Sequence, residues 1–498
     1  MPDKKIILIR PQNVYNYNNY PSLGLISIGS VLKAVGYKVE IINCAFEADH
    51  LRVIREKIQN VLFVGITLLT SEIFDAYNIV KYIKEISDVP IVVGGWHCTL
   101  FPEQMAASDY VDYVIAGDGE QHILALSEML QKGEKPGQKV FIKQIMDLDK
   151  LPVPDYSLDR RIEQFITNYL TDKLAQYVQK PMRWLPYESS RGCPSHCTFC
   201  INVVSGNTRY RQKSAKKVVD EIEYIVNKYK LTHLKIVDDN FFVDINRFRE
   251  ICEGILNRGL RITFDAECRC DYFNNSMLND ETLRLGKDAG LIQLTLGIES
   301  GSQHTLNLMK KGITPEQAEY AVNRCNEYGI ITRSSFMIEV PGESISDIKQ
   351  TIRFINRLRK YPFFTCGVTT FRPYPRCELT SHLIEQGYLR EPRGFEEWTR
   401  RESIDMYTAA EYARPWQING RYSENVAYYI NMESATRLGN YQIEYRIDRV
   451  KNNFFIFLAK LRNKFLFYRF AFDKKLYKRF LMNFYRKREE WEKDRPAL

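Results

Sequence analysis

Three cysteines, Cys193, Cys197 and Cys200, stand in the segment Arg191-Gly192-Cys193-Pro194-Ser195-His196-Cys197-Thr198-Phe199-Cys200 with the spacing C-x3-C-x2-C. Three thiolates hold three irons of a [4Fe–4S] cube and leave one iron without a protein ligand, because such clusters otherwise take four cysteines. An iron left open in this way invites a chelating substrate. The same spacing also suits a structural zinc ion, with His196 or a distant cysteine as the fourth ligand. Position speaks against zinc. The motif directly follows a strand-like run at 185–189 that opens a series of βα units, so it falls on the face where barrel enzymes keep their active sites. Cys268 and Cys270 are two apart on a strand-like run, but no second pair at ligand spacing accompanies them. Cys44, Cys98, Cys252, Cys325, Cys366 and Cys377 read as ordinary small residues, with Cys366 or Cys377 placed to face a substrate near the barrel's end.

The elements that position these residues are legible in the hydrophobic pattern. A chain of 498 residues exceeds what one core usually serves. Over the first 130 residues, apolar β-branched runs at 6–9, 38–42, 61–67, 90–93 and 113–116 alternate with helix-like stretches, which predicts a doubly wound parallel sheet. Ligands of such sheets sit outside the carboxyl ends of the strands. There the sequence places Asn18-Asn19-Tyr20-Pro21-Ser22-Leu23-Gly24, Thr67-Leu68-Leu69-Thr70, Gly94-Gly95-Trp96-His97 and Gly117-Asp118-Gly119-Glu120. A proline-bearing stretch with Pro152, Pro154, Pro181 and Pro186 reads as a linker. Alternation resumes with runs at 234–237, 262–266, 294–297, 335–340 and 368–371, which together with 185–189 predict an incomplete six-stranded parallel barrel.

The cysteine loop resembles the signature of the radical S-adenosylmethionine superfamily, C-x3-C-x-aromatic-C, with Phe199 in the aromatic place. Segments 236–241, 266–271, 296–302 and 336–343 look like later barrel strands of its cobalamin-binding branch, in which a B12 domain precedes the radical core. The resemblance implies an α/β chain with a flavodoxin-like B12-binding domain at 1–145, a linker at 146–183, a partial (β/α)6 radical core at 184–387 and a mainly helical region at 388–498. It implies three cofactors: a [4Fe–4S] cluster on Cys193, Cys197 and Cys200, S-adenosylmethionine and cobalamin. Phe199, Asp238, Asp239, Asn240, Arg269, Glu299, Ser300 and Ser335 are the residues it places near S-adenosylmethionine. Asp238 or Asp239 also reads as a cap for the following helix, and Arg269 as a support of the barrel rim. For cobalamin it implies Leu23, Thr67, Thr70, Gly94, Gly95, Trp96, His97, Gly117, Gly119 and Glu120. Adjacent glycines let backbone approach a bulky flat ligand. No Asp-x-His-x-x-Gly motif occurs, so His97 is a lower cobalt ligand only if geometry allows.

The implied reaction is reductive cleavage of S-adenosylmethionine to a 5′-deoxyadenosyl radical, followed by methyl transfer to an unactivated carbon. Radical cyclisation or rearrangement without methyl transfer is the alternative, and a non-catalytic membrane-associated scaffold a third reading. A low-potential electron donor such as flavodoxin or ferredoxin is the implied protein partner. Across 451–498, 14 Lys and Arg stand against 5 Asp and Glu, which accounts for the whole net charge of +9. Thirteen Phe, Tyr and Trp residues between 454 and 491 interleave with those cations, a mix that suits an anionic membrane surface and a small-molecule, hydrophobic or lipid-like substrate. A helix packed on its own core with a solvated basic face is the plainer reading. The Phe-Ile-Phe-Leu run is too apolar for a phosphate-facing stripe, so no nucleic-acid partner is expected. Irregular cysteine spacing and the short apolar start at 6–9 point to a reducing, cytoplasmic setting.

Overall fold

The computed structural model describes residues 5–13, 21–168, 182–408, 414–417, 420–437, 446–477 and 479. Its first sheet is parallel, with strands β1 (Lys5–Arg10), β2 (Lys38–Asn43), β3 (Val61–Thr67), β4 (Ile91–Gly94), β5 (Tyr113–Gly117) and β6 (Val140–Lys143) in the order β2-β1-β3-β4-β5-β6. Ile6, Ile7, Leu8 and Ile9 are all buried, as a strand covered by helices on both faces requires. The strand order reverses between β1 and β3, so the crevice lies above their carboxyl ends. Strand β6 escaped the sequence reading because it is a short edge strand with two of its four residues exposed.

The second sheet contains β7 (Trp184–Tyr187), β10 (His233–Ile236), β11 (Thr263–Cys268), β12 (Leu291–Glu299), β13 (Ile331–Ile338) and β14 (Phe364–Thr370), all parallel, in the order β14-β13-β12-β11-β10-β7. It is the expected incomplete barrel, with β7 and β14 at its two edges. Between β7 and β10 a short antiparallel ribbon pairs β8 (Ser190–Arg191) with β9 (Arg211–Gln212). Strand β14 would expose unpaired backbone, and the helix Gly420–Arg437 covers it. Asn431 on that helix donates its amide to the Val368 carbonyl at 2.8 Å and accepts the Val368 N–H at 2.7 Å, as a neighbouring strand would.

The proline-bearing stretch is not slack where it is described. Tyr156 is buried and donates its hydroxyl to the Pro186 carbonyl, Arg161 grips Glu47 through two hydrogen bonds, and Phe165 packs edge-on against Trp184. These contacts wedge 148–168 between the two sheets. The chain after the barrel also returns to the first sheet's side, where Trp398 donates its indole N–H to Gln104 at 3.0 Å.

Candidate active site

The cysteine loop is launched by Gly192. Its φ of +89° lies in the left-handed region, and a Cβ there would meet the Arg209 carbonyl oxygen at 2.4 Å. The loop is then pinned on three sides: Gly192 N–H donates to Asp239 at 3.0 Å, Cys193 N–H to the Asn207 carbonyl at 3.1 Å, and Thr198 N–H to the Met309 carbonyl at 3.0 Å. The Asn240 amide reaches the Cys193 sulfur at 3.5 Å and the Tyr272 hydroxyl at 2.8 Å, and its Oδ1 is buried without a partner.

Donor chemistry fits a cluster. Among the described residues the three thiols do not converge within the 4.8 Å that a single ion would need, yet Cys193 and Cys197 act electrostatically on Cys200, whose thiol burial pushes up to about 11. Three sulfurs near one another but too far apart for one zinc suit a polynuclear centre. The Lys311 and Arg269 cations lie within electrostatic reach of Cys197, and the Lys311 ammonium sits 5.9 Å from the Phe199 ring centre.

Several residues expected at S-adenosylmethionine have other partners. Asp238 is buried and accepts from the Ser189 N–H at 2.6 Å and from the Ser189 and Ser190 hydroxyls at 2.5 and 2.6 Å, which spends its carboxylate on the loop after β7. Neither Asp238 nor Asp239 caps a helix, because Asp244 caps Ile245–Asn257. Arg269 forms a two-pronged pair with Asp271 and donates to the Lys311 carbonyl at 2.9 Å, so it is committed to the rim. Ser300 is buried against Thr351 at 2.8 Å. Glu299, at φ +66°, ends β12 and takes the Lys311 ammonium at 3.1 Å, while half-buried Ser335 on β13 stands opposite Gly297.

Below them, Glu267, Thr295 and Arg333 share one row of the barrel lumen, in register across β11, β12 and β13. Two strand spacings separate Glu267 from Arg333, roughly 10 Å. Neither makes an ion pair or hydrogen bond among the described residues, and a Cβ at neighbouring Gly367 would meet nothing within 4 Å. Burial pushes the Glu267 carboxyl up against the pull of the Lys235 charge, with Asp265, Glu299 and Asp239 adding to the rise, even though the side chain opens on the lumen.

Between the carboxyl ends of the two sheets lies a cavity of ≈ 540 Å³. Leu23, Thr67, Gly94, Gly95, Trp96, Gly117, Gly119 and Glu120 line it from the first sheet, and Glu188, Ser190, Arg191, Val237 and Asp239 from the second. Arg191, two residues before Cys193, joins the walls: it donates to Asp118 at 3.0 Å, Glu120 at 2.7 Å and Glu188 at 2.8 Å. Arg211 pairs with Asp118 as well. Burial raises the Glu120 carboxyl, but the Arg191 charge and the hydrogen bonds from Arg191 and Ser27 together outweigh it and hold the group below its ordinary value, and the second Glu120 oxygen has no partner. Arg211 escaped the sequence reading, and the pairing of Asp118 with Arg191 and Arg211 across the cavity has no local signal, since Asp118 and Arg191 stand there only as members of their loops.

Glycines behave differently from the expectation. A Cβ at Gly95 would strike Thr67 Oγ1 at 2.8 Å, at Gly117 the Lys143 carbonyl at 2.4 Å, and at Gly119 Ile28 at 2.7 Å, so these glycines let protein pack on protein. Gly24, in the first turn of α1 (Leu23–Ala34), is the one whose added Cβ would meet nothing within 4 Å while it lines the cavity. A wall kept bare there fits a large ligand. His97 and Thr70 do not line the cavity: His97 is fully buried, hydrogen-bonds Thr70 at 3.1 Å and packs edge-on against Trp398. Burial lowers His97 to about 3, so its ring is neutral.

Comparison with known proteins agrees with both halves of this cavity. Residues 187–355 match the family model described as the radical SAM superfamily, and 14–127 the model described as a B12 binding domain. The chain is 29% identical over 420 residues to an uncharacterized methyltransferase of Pyrococcus horikoshii, covering 80% of this chain and 85% of that protein. It is 27% identical over 377 residues to the anaerobic magnesium-protoporphyrin IX monomethyl ester cyclase of Rubrivivax gelatinosus, covering 73% of this chain and 66% of that one. Its fold is similar to that of the cobalamin-dependent S-adenosylmethionine radical enzyme OxsB with aqua-cobalamin bound, with a TM-score of 0.69 and 18% identity, over 93% of this chain and 72% of that one.

Proposed function

Since the chain belongs to the cobalamin-binding radical S-adenosylmethionine enzymes, with a [4Fe–4S] cluster, S-adenosylmethionine and cobalamin as its cofactors, we propose that it methylates an unactivated carbon of an amphiphilic, lipid-like substrate. The observation that carries the reading is the cavity shared by the two sheets, walled on one side by the bare Gly24 turn and on the other by the braced cysteine loop. When bound, the cluster and S-adenosylmethionine supply a radical that takes hydrogen from carbon, and cobalamin supplies the methyl group.

Everything else is orientation by this chain's residues. In our reading Cys193, Cys197 and Cys200 hold the cluster, with the Lys311 and Arg269 cations beside Cys197 to offset the negative charge of the loaded loop. Asn240 Oδ1, buried and unpartnered, and the Glu299 carboxylate at the barrel mouth bind the amino and hydroxyl groups of S-adenosylmethionine. Leu23, Gly24, Thr67, Gly94, Trp96 and Glu120 hold cobalamin, and Arg191 keeps its wall against the cysteine loop. Glu267 and Arg333, unpaired in the lumen, take the polar end of the substrate.

The lipid-like class and a membrane-surface location rest on the tail. The helix Arg446–Phe465 packs Ile456 and Ala459 inward, and Arg462 is buried in a two-pronged pair with Asp473, yet Phe454, Phe457, Phe465, Phe467, Phe470 and Phe472 are exposed. Exposed aromatic rings beside Lys460, Lys464 and Arg469 suit the headgroup region of an anionic bilayer. No described helix is long and apolar enough to cross a membrane. The aromatic and basic residues at 478 and 480–498 lie outside the described residues.

Turnover with methyl-deuterated S-adenosylmethionine tests the reaction: label in the product is expected, and an unlabelled product would favour radical cyclisation, the activity in the name of the Rubrivivax relative. Co-sedimentation with anionic vesicles tests the tail. Binding should fall when Phe465, Phe470 and Phe472 are all replaced by Ser, and equal binding would remove the membrane from the proposal.

A further inference from the structure

Behind the cavity wall of the first sheet, the structure gathers three side chains that the cofactor chemistry does not use. Asn43 ends β2 and accepts the Ala45 N–H, shaping the turn Cys44–Phe46 that presents Cys44. Asp49 caps α2 (His50–Lys57) and so fixes His50 at the first helical position. Asp75 lies in the first turn of α3 (Ile73–Ile86). One ligand atom from each of Cys44, His50 and Asp75 lies within 4.8 Å of the others, the only such group among the described residues.

We propose that Cys44, His50 and Asp75 form a binding site for a divalent transition metal of the zinc class. A thiolate, an imidazole and a carboxylate make the mixed sulfur, nitrogen and oxygen set that zinc accepts and that magnesium and calcium do not. His50 Nε2 and Asp75 Oδ1 stand 3.1 Å apart in a hydrogen bond, a separation that two ligands of one tetrahedral ion also have, so an ion can replace the shared proton without moving either side chain far. The set is also supported from behind: the Gln12 N–H donates to Asp75 Oδ2 at 2.7 Å, and the Gln12 amide donates to the Cys44 carbonyl at 2.9 Å. Cys44 is fully buried while the side chains of His50 and Asp75 are 15% exposed, so an ion has a sulfur anchor inside and a path from solvent. Three protein ligands leave a fourth position for water.

Arg10 and Glu72 line the cofactor cavity and pair at 3.1 Å, and the Glu72 charge reaches Cys44. Gln12, two residues beyond Arg10, holds both Cys44 and Asp75, so a bound ion would brace the cavity wall at the end of β1. The sequence reading of Cys44 as an ordinary small residue missed this because His50 and Asp75 join it only through the fold.

Cobalt(II) titration of the full-length, corrinoid-free protein carrying Cys193→Ala, Cys197→Ala and Cys200→Ala tests the site. With the cluster cysteines gone, its outcome is independent of the radical-enzyme reading. About one equivalent of cobalt should bind with thiolate-to-cobalt absorption in the near ultraviolet, and zinc should displace it. Cys44→Ser should abolish that absorption, and His50→Gln or Asp75→Asn, at partly exposed positions, should weaken binding roughly tenfold or more. No sulfur-to-cobalt absorption in the parent, or absorption unchanged by Cys44→Ser and by both milder variants, would overturn the proposal.

Discussion

The two walls of the cofactor cavity are built on opposite plans. On the first-sheet side backbone and apolar side chains such as Leu23 and Ile28 line much of the surface beside the charged Arg10, Glu72, Asp118 and Glu120, and the Gly24 turn leaves space that nothing in the protein fills. On the barrel side charged lining groups are engaged by other residues, Asp239 by Gly192 and Asn207 and Arg191 by three carboxylates, and behind them Asp238 is held by Ser189 and Ser190 and Arg269 by Asp271. One wall offers shape, the other rigidity. A broad flat ligand needs room more than partners, whereas a cluster loop whose sulfurs must be held in place needs its backbone fixed before the metal arrives.

The contrast should break most visibly at Arg191. Arg191→Met leaves Asp118, Glu120 and Glu188 facing one another without their shared cation, and removing one partner of a buried charge network costs about 3–5 kcal/mol. A large fall in thermal midpoint is the expected reading. The acid limb should change too: Glu120 is held below its ordinary value in the fold, so its stabilisation is present above about pH 4.5 and is lost as pH falls through the folded value. Midpoints measured from pH 7 down to pH 3 should decline less steeply in Arg191→Met than in the parent. Gly192→Ala comes next, with a forced left-handed residue and a Cβ against the Arg209 carbonyl, at about 2–3 kcal/mol. Anaerobic reconstitution should then yield little of the cluster's visible absorption.

Much of this difference was legible beforehand, and the missing part has one physical cause. Both sheets follow from period and β-branching, and the cysteine spacing announces its cluster locally, because a loop of eight residues carries its own geometry. What side chains do at strand ends is decided by residues far away in sequence. Asp238 reads as a ligand group until Ser189, 49 positions earlier, takes it, and His97 reads as a cavity residue until Trp398 folds over it from the C-terminal region. The same holds for Gly95 and Gly117, whose Cβ space is filled by the ends of β3 and β6. Pattern alone cannot tell a glycine that admits a ligand from one that admits a carbonyl.

On the first-sheet wall the expected result is the reverse of Gly192→Ala. Gly24→Phe puts a ring into open space on a helix's first turn, so stability should shift by no more than about 0.5 kcal/mol, while the ring occupies room meant for ligand. Corrinoid affinity, followed by quenching of tryptophan fluorescence, should drop by roughly tenfold or more, the loss of about 1.4 kcal/mol. Parent-like affinity in Gly24→Phe would mean that the bare turn is not a ligand surface, and the contrast between the walls would fail.

The smallest expected effect is at His97, and it sharpens the contrast by its absence. A histidine serving as lower cobalt ligand must face the cavity with a free nitrogen, yet the His97 ring is enclosed by Thr70, Phe101 and Trp398 outside the cavity lining. Its Nε2 has no partner, but burial also holds the ring neutral, so neither charge nor a hydrogen bond draws it toward solvent. His97→Gln should therefore leave the visible spectrum of bound corrinoid unchanged from pH 5 to pH 8, because the shape-built wall offers cobalt no side chain there. A spectral shift in His97→Gln at any pH in that range would mean that the ring swings into the cavity on binding, and that this wall, too, acts through a specific side chain.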